Sequence, residues 1–159
     1  MKTKFFSVFL VMASMLFGSN AIAQGMDVPT IKADMVMSGL KNPWDMAFAS
    51  NGDMFYTEKC KGLSVRTADG KTHAVYGMKD SKGYASSGKD LFCEGQAGML
   101  GVELDRDFDK NRTLYLYSTS NKYHGDGCKT NFEKCDGNIV MRFKVSKNNK
   151  KVSKRTDIV

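Results

Sequence analysis

The chain has 159 residues, a formal net charge of +7 and four cysteines. Beyond the first 23 residues no run is apolar enough to cross a bilayer, and the cysteines form no CxxC pair with histidines at ligand spacing, which argues against a membrane-embedded chain and against zinc. The positive balance is modest, and its densest part carries no aromatic residue on which bases could stack.

Lys2 and Lys4 form a charged segment, Phe5 to Phe17 an apolar one, and Ala21-Ile-Ala23 a small-x-small cleavage site, so residues 1–23 read as a secretory signal peptide. Removing Lys2 and Lys4 leaves 22 basic against 17 acidic residues, a charge of +5 on the exported product. A periplasmic or secreted chain with no stable membrane insertion after cleavage is expected.

Seven short apolar or alternating runs follow, with almost no helical pattern: residues 46–49, 54–57, 63–66, 73–76, 99–104, 113–119 and 139–145. Ser50-Asn-Gly-Asp and Ala68-Asp-Gly-Lys read as hairpin turns whose central residues tolerate positive φ. Strand, Asn-Gly turn, strand, Gly, strand, Asp-Gly turn, strand is the build of one four-stranded propeller blade, and a second starts at Met99. Thr156-Asp-Ile-Val reads as the start of a third. The fold class is therefore all-β. At roughly 45–50 residues per blade, residues 24–159 make two to three blades where a closed ring takes about four to eight, so the expectation is an N-terminal part of a β-propeller domain, truncated at the C-terminus. A small β-sandwich is the alternative.

Four cysteines in an exported chain point to two disulfides, although sequence alone permits three pairings. Cys128 and Cys135 bracket a polar loop and are expected to close on each other, leaving Cys60 to pair with Cys93. That second bridge would tether the segment Cys93-Glu-Gly-Gln-Ala-Gly-Met-Leu-Gly-Val. In it, glycines 95, 98 and 101 would let the backbone approach a flat ligand, and the Gln96 amide supplies both a donor and an acceptor.

Leu40-Lys-Asn-Pro-Trp-Asp-Met-Ala-Phe, Asn51-Gly-Asp-Met-Phe-Tyr-Thr-Glu, Gly62-Leu-Ser-Val-Arg, Gly95-Gln-Ala-Gly-Met-Leu-Gly-Val and Asp107-Phe-Asp-Lys-Asn-Arg-Thr-Leu-Tyr-Leu occur in that order. Together they resemble the soluble glucose/sorbosone (aldose sugar) dehydrogenases, over residues 40–145. The resemblance implies a six-bladed propeller, pyrroloquinoline quinone (PQQ) and Ca2+ as cofactors, a sugar substrate oxidised at its C1 hydroxyl with hydride passing to the quinone C5 carbonyl, and a periplasmic electron acceptor. It carries Gln96 over as a hydrogen-bond partner of PQQ. The family's general-base histidine, the basic residues that hold the quinone carboxylates and the calcium ligands match no position here and are expected beyond Val159. The chain alone is then expected to be inactive. The alternative reading is a non-catalytic exported propeller or sandwich that binds a glycan or a protein.

Other features take plainer readings. His124 beside Asp126 reads as an exposed loop residue, and His73 as lying on the solvent face of its strand. Asp105-Arg-Asp-Phe-Asp-Lys-Asn lacks the glycine and the closing glutamate of a calcium loop, and reads as a polar turn in which Phe108 tucks into the blade interface. The lysine-rich run from Lys144 to Arg155 reads as a solvated hairpin with Asn148-Asn149 at its tip, not as a nucleic-acid surface. Phe48, Phe55, Met99, Leu116 and Phe143 are expected to be exposed in a chain that lacks neighbouring blades.

Overall fold

The computed structural model describes residues 29–122 and 137–158. The signal-peptide reading, His124, and the Cys128–Cys135 pair lie outside the described residues. The chain divides into two units, Met1–Val36 and Met37–Val159. In the first, residues 29–36 are exposed and lie in neither helix nor strand.

The second unit is two antiparallel sheets. The first contains β1 (Pro43–Phe48), β2 (Met54–Glu58), β3 (Gly62–Arg66) and β4 (Thr72–Gly77) in sequential order, with the two-residue β5 (Ser86–Ser87) added parallel to β4. The second contains β6 (Met99–Leu104), β7 (Thr113–Ser120), β8 (Gly137–Val145) and β9 (Val152–Asp157), also in sequential order, with a single helical turn, α1 (Phe108–Asn111), between β6 and β7. Each is a blade-like meander. Thr156 and Asp157 belong to β9, so they complete the second sheet and do not start a third.

The hairpins differ from the expected two-residue turns. Ala49 N–H donates to Asp53 O and Gly52 N–H to Ala49 O, each at 2.9 Å, and Gly52 alone takes positive φ (84°). The loop is a type I turn closed by a left-handed glycine, and Thr67 to Lys71 repeats it with Gly70 at φ 86°. The cause at the first hairpin is Asn51, whose Oδ1 accepts the Asp53 N–H at 3.2 Å and so takes the donor that a two-residue turn would use.

Period-two alternation puts Phe55, Leu63, Val65 and Val75 of the first sheet against Leu114, Leu116, Ile139, Met141 and Phe143 of the second, and all are buried. Tyr76 and Phe143 pack with ring centroids 4.8 Å apart. Phe108 is buried and meets Phe55 edge-on at 5.7 Å, with the Arg112 guanidinium 4.0 Å from its ring centroid, in line with the reading that it tucks into the interface. Four of the five residues expected to be exposed, Phe55, Met99, Leu116 and Phe143, are therefore buried, because the two sheets cover one another's inner faces. Each such burial is worth about 2 kcal/mol. Only Phe48 stays exposed, in a stripe with Trp44 and Met46 at alternate positions of β1.

Polar contacts join the sheets at both ends. At the end carrying the β1–β2 and β3–β4 turns, Asn149 is 2% exposed with φ 60°, and its amide donates to Asp53 while its Oδ1 accepts from Arg112. Asn149 at the tip of the lysine-rich hairpin is thus docked onto Asp53, while Lys147, Asn148 and Lys150 beside it are exposed, as the solvated-hairpin reading expects. Towards the other end, Arg155 forks onto Asp90 with two contacts of 2.6 Å, and its Nε donates to Asp157 at 2.7 Å.

Candidate functional site

The site is built around the connection that leads into β6. β2 ends at Glu58, and Lys59, Cys60 and Lys61 make the turn into β3. Cys60 is disulfide-bonded to Cys93, with Cα atoms 5.2 Å apart. Just beyond Cys93, Ala97 N–H donates to Glu94 O at 2.7 Å, so Gly95 and Gln96 are the central pair of a tight turn. Gly95 has φ 51° while Gln96 is not in the left-handed region, which is the type II′ pattern and needs glycine first. Gln96 is exposed, and its amide makes no hydrogen bond among the described residues.

The base of the turn is clamped on both sides. Gly98 N–H donates to Thr119 Oγ1 at 2.9 Å, Thr119 N–H donates to Gly98 O at 3.1 Å, and Thr119 Oγ1 donates to Phe92 O at 3.0 Å. Met99 N–H donates to Lys59 O at 2.8 Å, and Lys59 Nζ donates to Gly95 O. Below it, Thr57 Oγ1 donates to Leu100 O at 2.5 Å while accepting the Asp45 N–H at 3.2 Å, and Asp45 Oδ2 accepts the Val102 N–H at 2.9 Å. The bulge in β6 between Met99 and Val102 is where these side-chain contacts replace the strand ladder.

The three glycines do not share one role. A Cβ on Gly98 would sit 2.5 Å from Lys59 O, and one on Gly101 3.3 Å from the Cβ of Tyr117, so both serve packing. Only Gly95 has open space where its side chain would be, and only there is the backbone bare toward a ligand.

Of the other residues considered from sequence, His73 is half-buried beside a shallow hollow of about 330 Å³ shared with Asn51, Asp53, Lys71 and Lys150. That hollow lies by the β1–β2 and β3–β4 turns, at the opposite end of the first sheet from the β2–β3 turn that holds Cys60. Asp105 uses both carboxylate oxygens: Oδ1 accepts from Asp107 N–H at 3.0 Å and Asn111 Nδ2 at 2.7 Å, and Oδ2 from the Tyr115 hydroxyl at 3.1 Å. These donors hold its carboxyl below the usual range, led by the Asp107 N–H. The segment is a structural corner. Among the described residues no three His, Cys, Asp or Glu side chains converge as a metal site.

Sequence reasoning missed Lys59, Thr119 and Asp45, although Lys59 adjoins the paired Cys60. It also missed the Asp90–Arg155 pair. Burial pushes the Asp90 carboxyl up, but hydrogen bonds from Arg155 and Ser120 outweigh it and hold the group at about 2.

The geometry offers a turn, held by the disulfide and hydrogen bonds, that presents an amide without a partner among the described residues beside the Lys59 ammonium. An exposed amide of this kind can meet both a donor and an acceptor on a ligand's polar edge.

An uncharacterized protein of Synechocystis sp., slr1608, is 36% identical over 90 residues, which is 55% of this chain and 21% of that protein. Among solved structures, a glucose dehydrogenase matches with a TM-score of 0.61 and 24% identity over 79% of this chain and 34% of its own. The soluble aldose sugar dehydrogenase of Escherichia coli matches at 0.55 and 24%, over 76% of this chain and 30% of its own. The PQQ-bound aldose sugar dehydrogenase of Streptomyces coelicolor matches at 0.55 and 17%, over 79% of this chain and 32% of its own. The chain thus spans about a third of the length of these structures, which share its fold of propeller blades. The model of the Glucose / Sorbosone dehydrogenase family matches residues 40–159, three-quarters of the sequence, and the chain belongs to that family.

Proposed function

We propose that this chain is the cofactor-facing N-terminal part of an exported PQQ-dependent sugar dehydrogenase, and that Gln96 is its hydrogen-bond contact to the quinone. The observation that carries the reading is the Gln96 amide, exposed and unpaired on a turn fixed by a disulfide and by Thr119. Family membership supports the reaction class, oxidation of a sugar.

In this reading PQQ supplies the hydride acceptor when bound. Residues of this chain orient it: Gln96 offers one N–H donor and one carbonyl acceptor toward its polar edge, and Gly95 allows close approach of the ring. Proton removal from the C1 hydroxyl, calcium ligation and transfer to a periplasmic electron acceptor are assigned to residues and partners outside residues 1–159. The chain alone then has no turnover.

The test is Gln96→Ala in the full-length protein, titrated with PQQ at fixed calcium. The expected loss is about 0.5–1.5 kcal/mol, the worth of one neutral hydrogen bond. An unchanged dissociation constant at an unchanged melting temperature removes Gln96 from the site.

A further inference from the structure

We infer that Lys59 is the positioning residue of the Gln96 turn, acting on a ligand only through the direction in which it aims that side chain. This rests on the reading of Gln96 as the cofactor contact.

Lys59 touches the turn in three ways. Its carbonyl accepts the Met99 N–H at 2.8 Å, its side-chain stem lies where a Cβ on Gly98 would be, 2.5 Å from Cγ, and its ammonium donates to Gly95 O. Its own N–H donates to Asn42 O at 3.0 Å, which ties it to the chain entering β1, and the next residue carries the disulfide to Cys93. The half-buried stem is therefore held at its root while the ammonium reaches the turn.

The acceptor it chooses decides the matter. Type II′ and type I′ turns differ mainly by rotation of the peptide between the two central residues, here Gly95 and Gln96. Rotating that peptide moves the Gly95 carbonyl to the other face of the turn and carries Gln96 into the left-handed region, which turns its Cα–Cβ bond away. Gly95 permits either state, since its φ is positive in both. The turn's own 94–97 hydrogen bond does not select between them, because that bond closes both turn types, and the left-handed conformation that type I′ asks of Gln96 favours II′ only in part. The ammonium on the Gly95 carbonyl does select, through a charge-assisted bond present in one orientation only. A side chain held in this way by a neighbour is the usual support for a binding contact.

The experiment uses the full-length protein with Lys59→Met, which keeps the stem and removes the charge, Lys59→Arg, Gln96→Ala, and Lys59→Met combined with Gln96→Ala. Two readouts are taken. Without ligand, the nuclear Overhauser effect between the Gly95 α-protons and the Gln96 N–H, strong in a type II′ turn and weak in a type I′ turn, is expected to weaken in Lys59→Met and to return toward the parent intensity in Lys59→Arg. With PQQ at fixed calcium, Lys59→Met is expected to weaken binding by no more than Gln96→Ala does, about two- to tenfold, and to have no further effect once Gln96 is alanine, which is the non-additivity of residues acting through one contact. An unaltered Gly95–Gln96 Overhauser effect overturns the positioning role, whatever happens to affinity. So does an equal loss in the parent and in Gln96→Ala, which would mean that the ammonium meets the ligand directly. If Gln96→Ala alone leaves PQQ affinity intact, the cofactor reading falls, while the Overhauser result still decides whether Lys59 holds the turn.

Discussion

Replacing both Cys60 and Cys93 by serine tests the bridge that fixes the candidate site. The two cysteines are 33 residues apart in sequence. For a loop of that length the chain-entropy relation assigns the bond about 3.5–4 kcal/mol, exerted mainly by restricting the unfolded chain. Cys60 is exposed and Cys93 only half-buried at the edge of the core, so little packing is lost on top of this. The native turn keeps its links through Lys59 and Thr119, so the folded state should change little. Urea unfolding of the oxidised parent and the double variant, followed by far-ultraviolet circular dichroism, measures the difference. With a slope of about 2 kcal/mol per molar, typical of this size, the midpoint should fall by about 2 M. The slope itself should rise, since the unlinked denatured chain exposes more surface. An unfolding free energy within about 1 kcal/mol of the parent would refute the entropic account of the bridge. It would mean that the denatured chain already holds these two segments together, or that the bridge strains the native state by as much as it restricts the unfolded one.

Gly98→Ala should cost about 1–3 kcal/mol, because the residue sits at a φ that side chains rarely adopt and the new Cβ meets a backbone oxygen that cannot yield. Gly95→Ala should cost less, its Cβ pointing into open space, and paired thermal melts rank the two. Acid should weaken the joint between the sheets: Asp90 is held at about 2 against an ordinary value of 3.8, so its stabilising contribution is present above that ordinary value and lost as pH falls toward 2. The pair is about one-fifth exposed and therefore partly screened. After that discount the contribution is about 1–2 kcal/mol. Asp90→Asn should accordingly flatten the fall in melting temperature on acidification through this window, a profile the parent would already show if the pair were inert.

The strands were legible because each inward face alternates with a polar one, as in Gly137–Val145, where Ile139, Met141, Phe143 and Val145 are buried and Arg142 and Lys144 are not. Pairing of Cys60 with Cys93 was legible because a short polar loop claimed the other two cysteines. The hairpin type was not: Asn-Gly suits a two-residue turn, and only the capture of the Asp53 N–H by the Asn51 side chain lengthened the loop. Nor were the cross-sheet polar pairs. Arg155 lies 65 residues from Asp90 in a lysine-rich run whose composition reads as solvated, and Asn149 lies 96 residues from Asp53. Partner choice at that separation is a property of the assembled sheets. Clustering of Gly95, Gly98 and Gly101 suggested a single ligand-facing surface, yet what two of them face is the protein's own backbone and side chains.

The welds at the two ends of the sheet pair bear on how such a protein changes over time. Repeat proteins commonly lengthen or shorten by gaining and losing whole units, since each unit meets its neighbour through a generic surface. Here Asp53 is tied to Asn149 and Asp90 to Arg155, and β6 begins on the carbonyl of Lys59. Neither sheet can be exchanged for another of the same shape without leaving Asp53 or the Asp90–Arg155 pair without its partner, a loss of about 1–2 kcal/mol for that ion pair. The two sheets are expected to be inherited together, with substitutions at these positions arriving in pairs, and to melt in one transition while fraying begins at the outer edge strands.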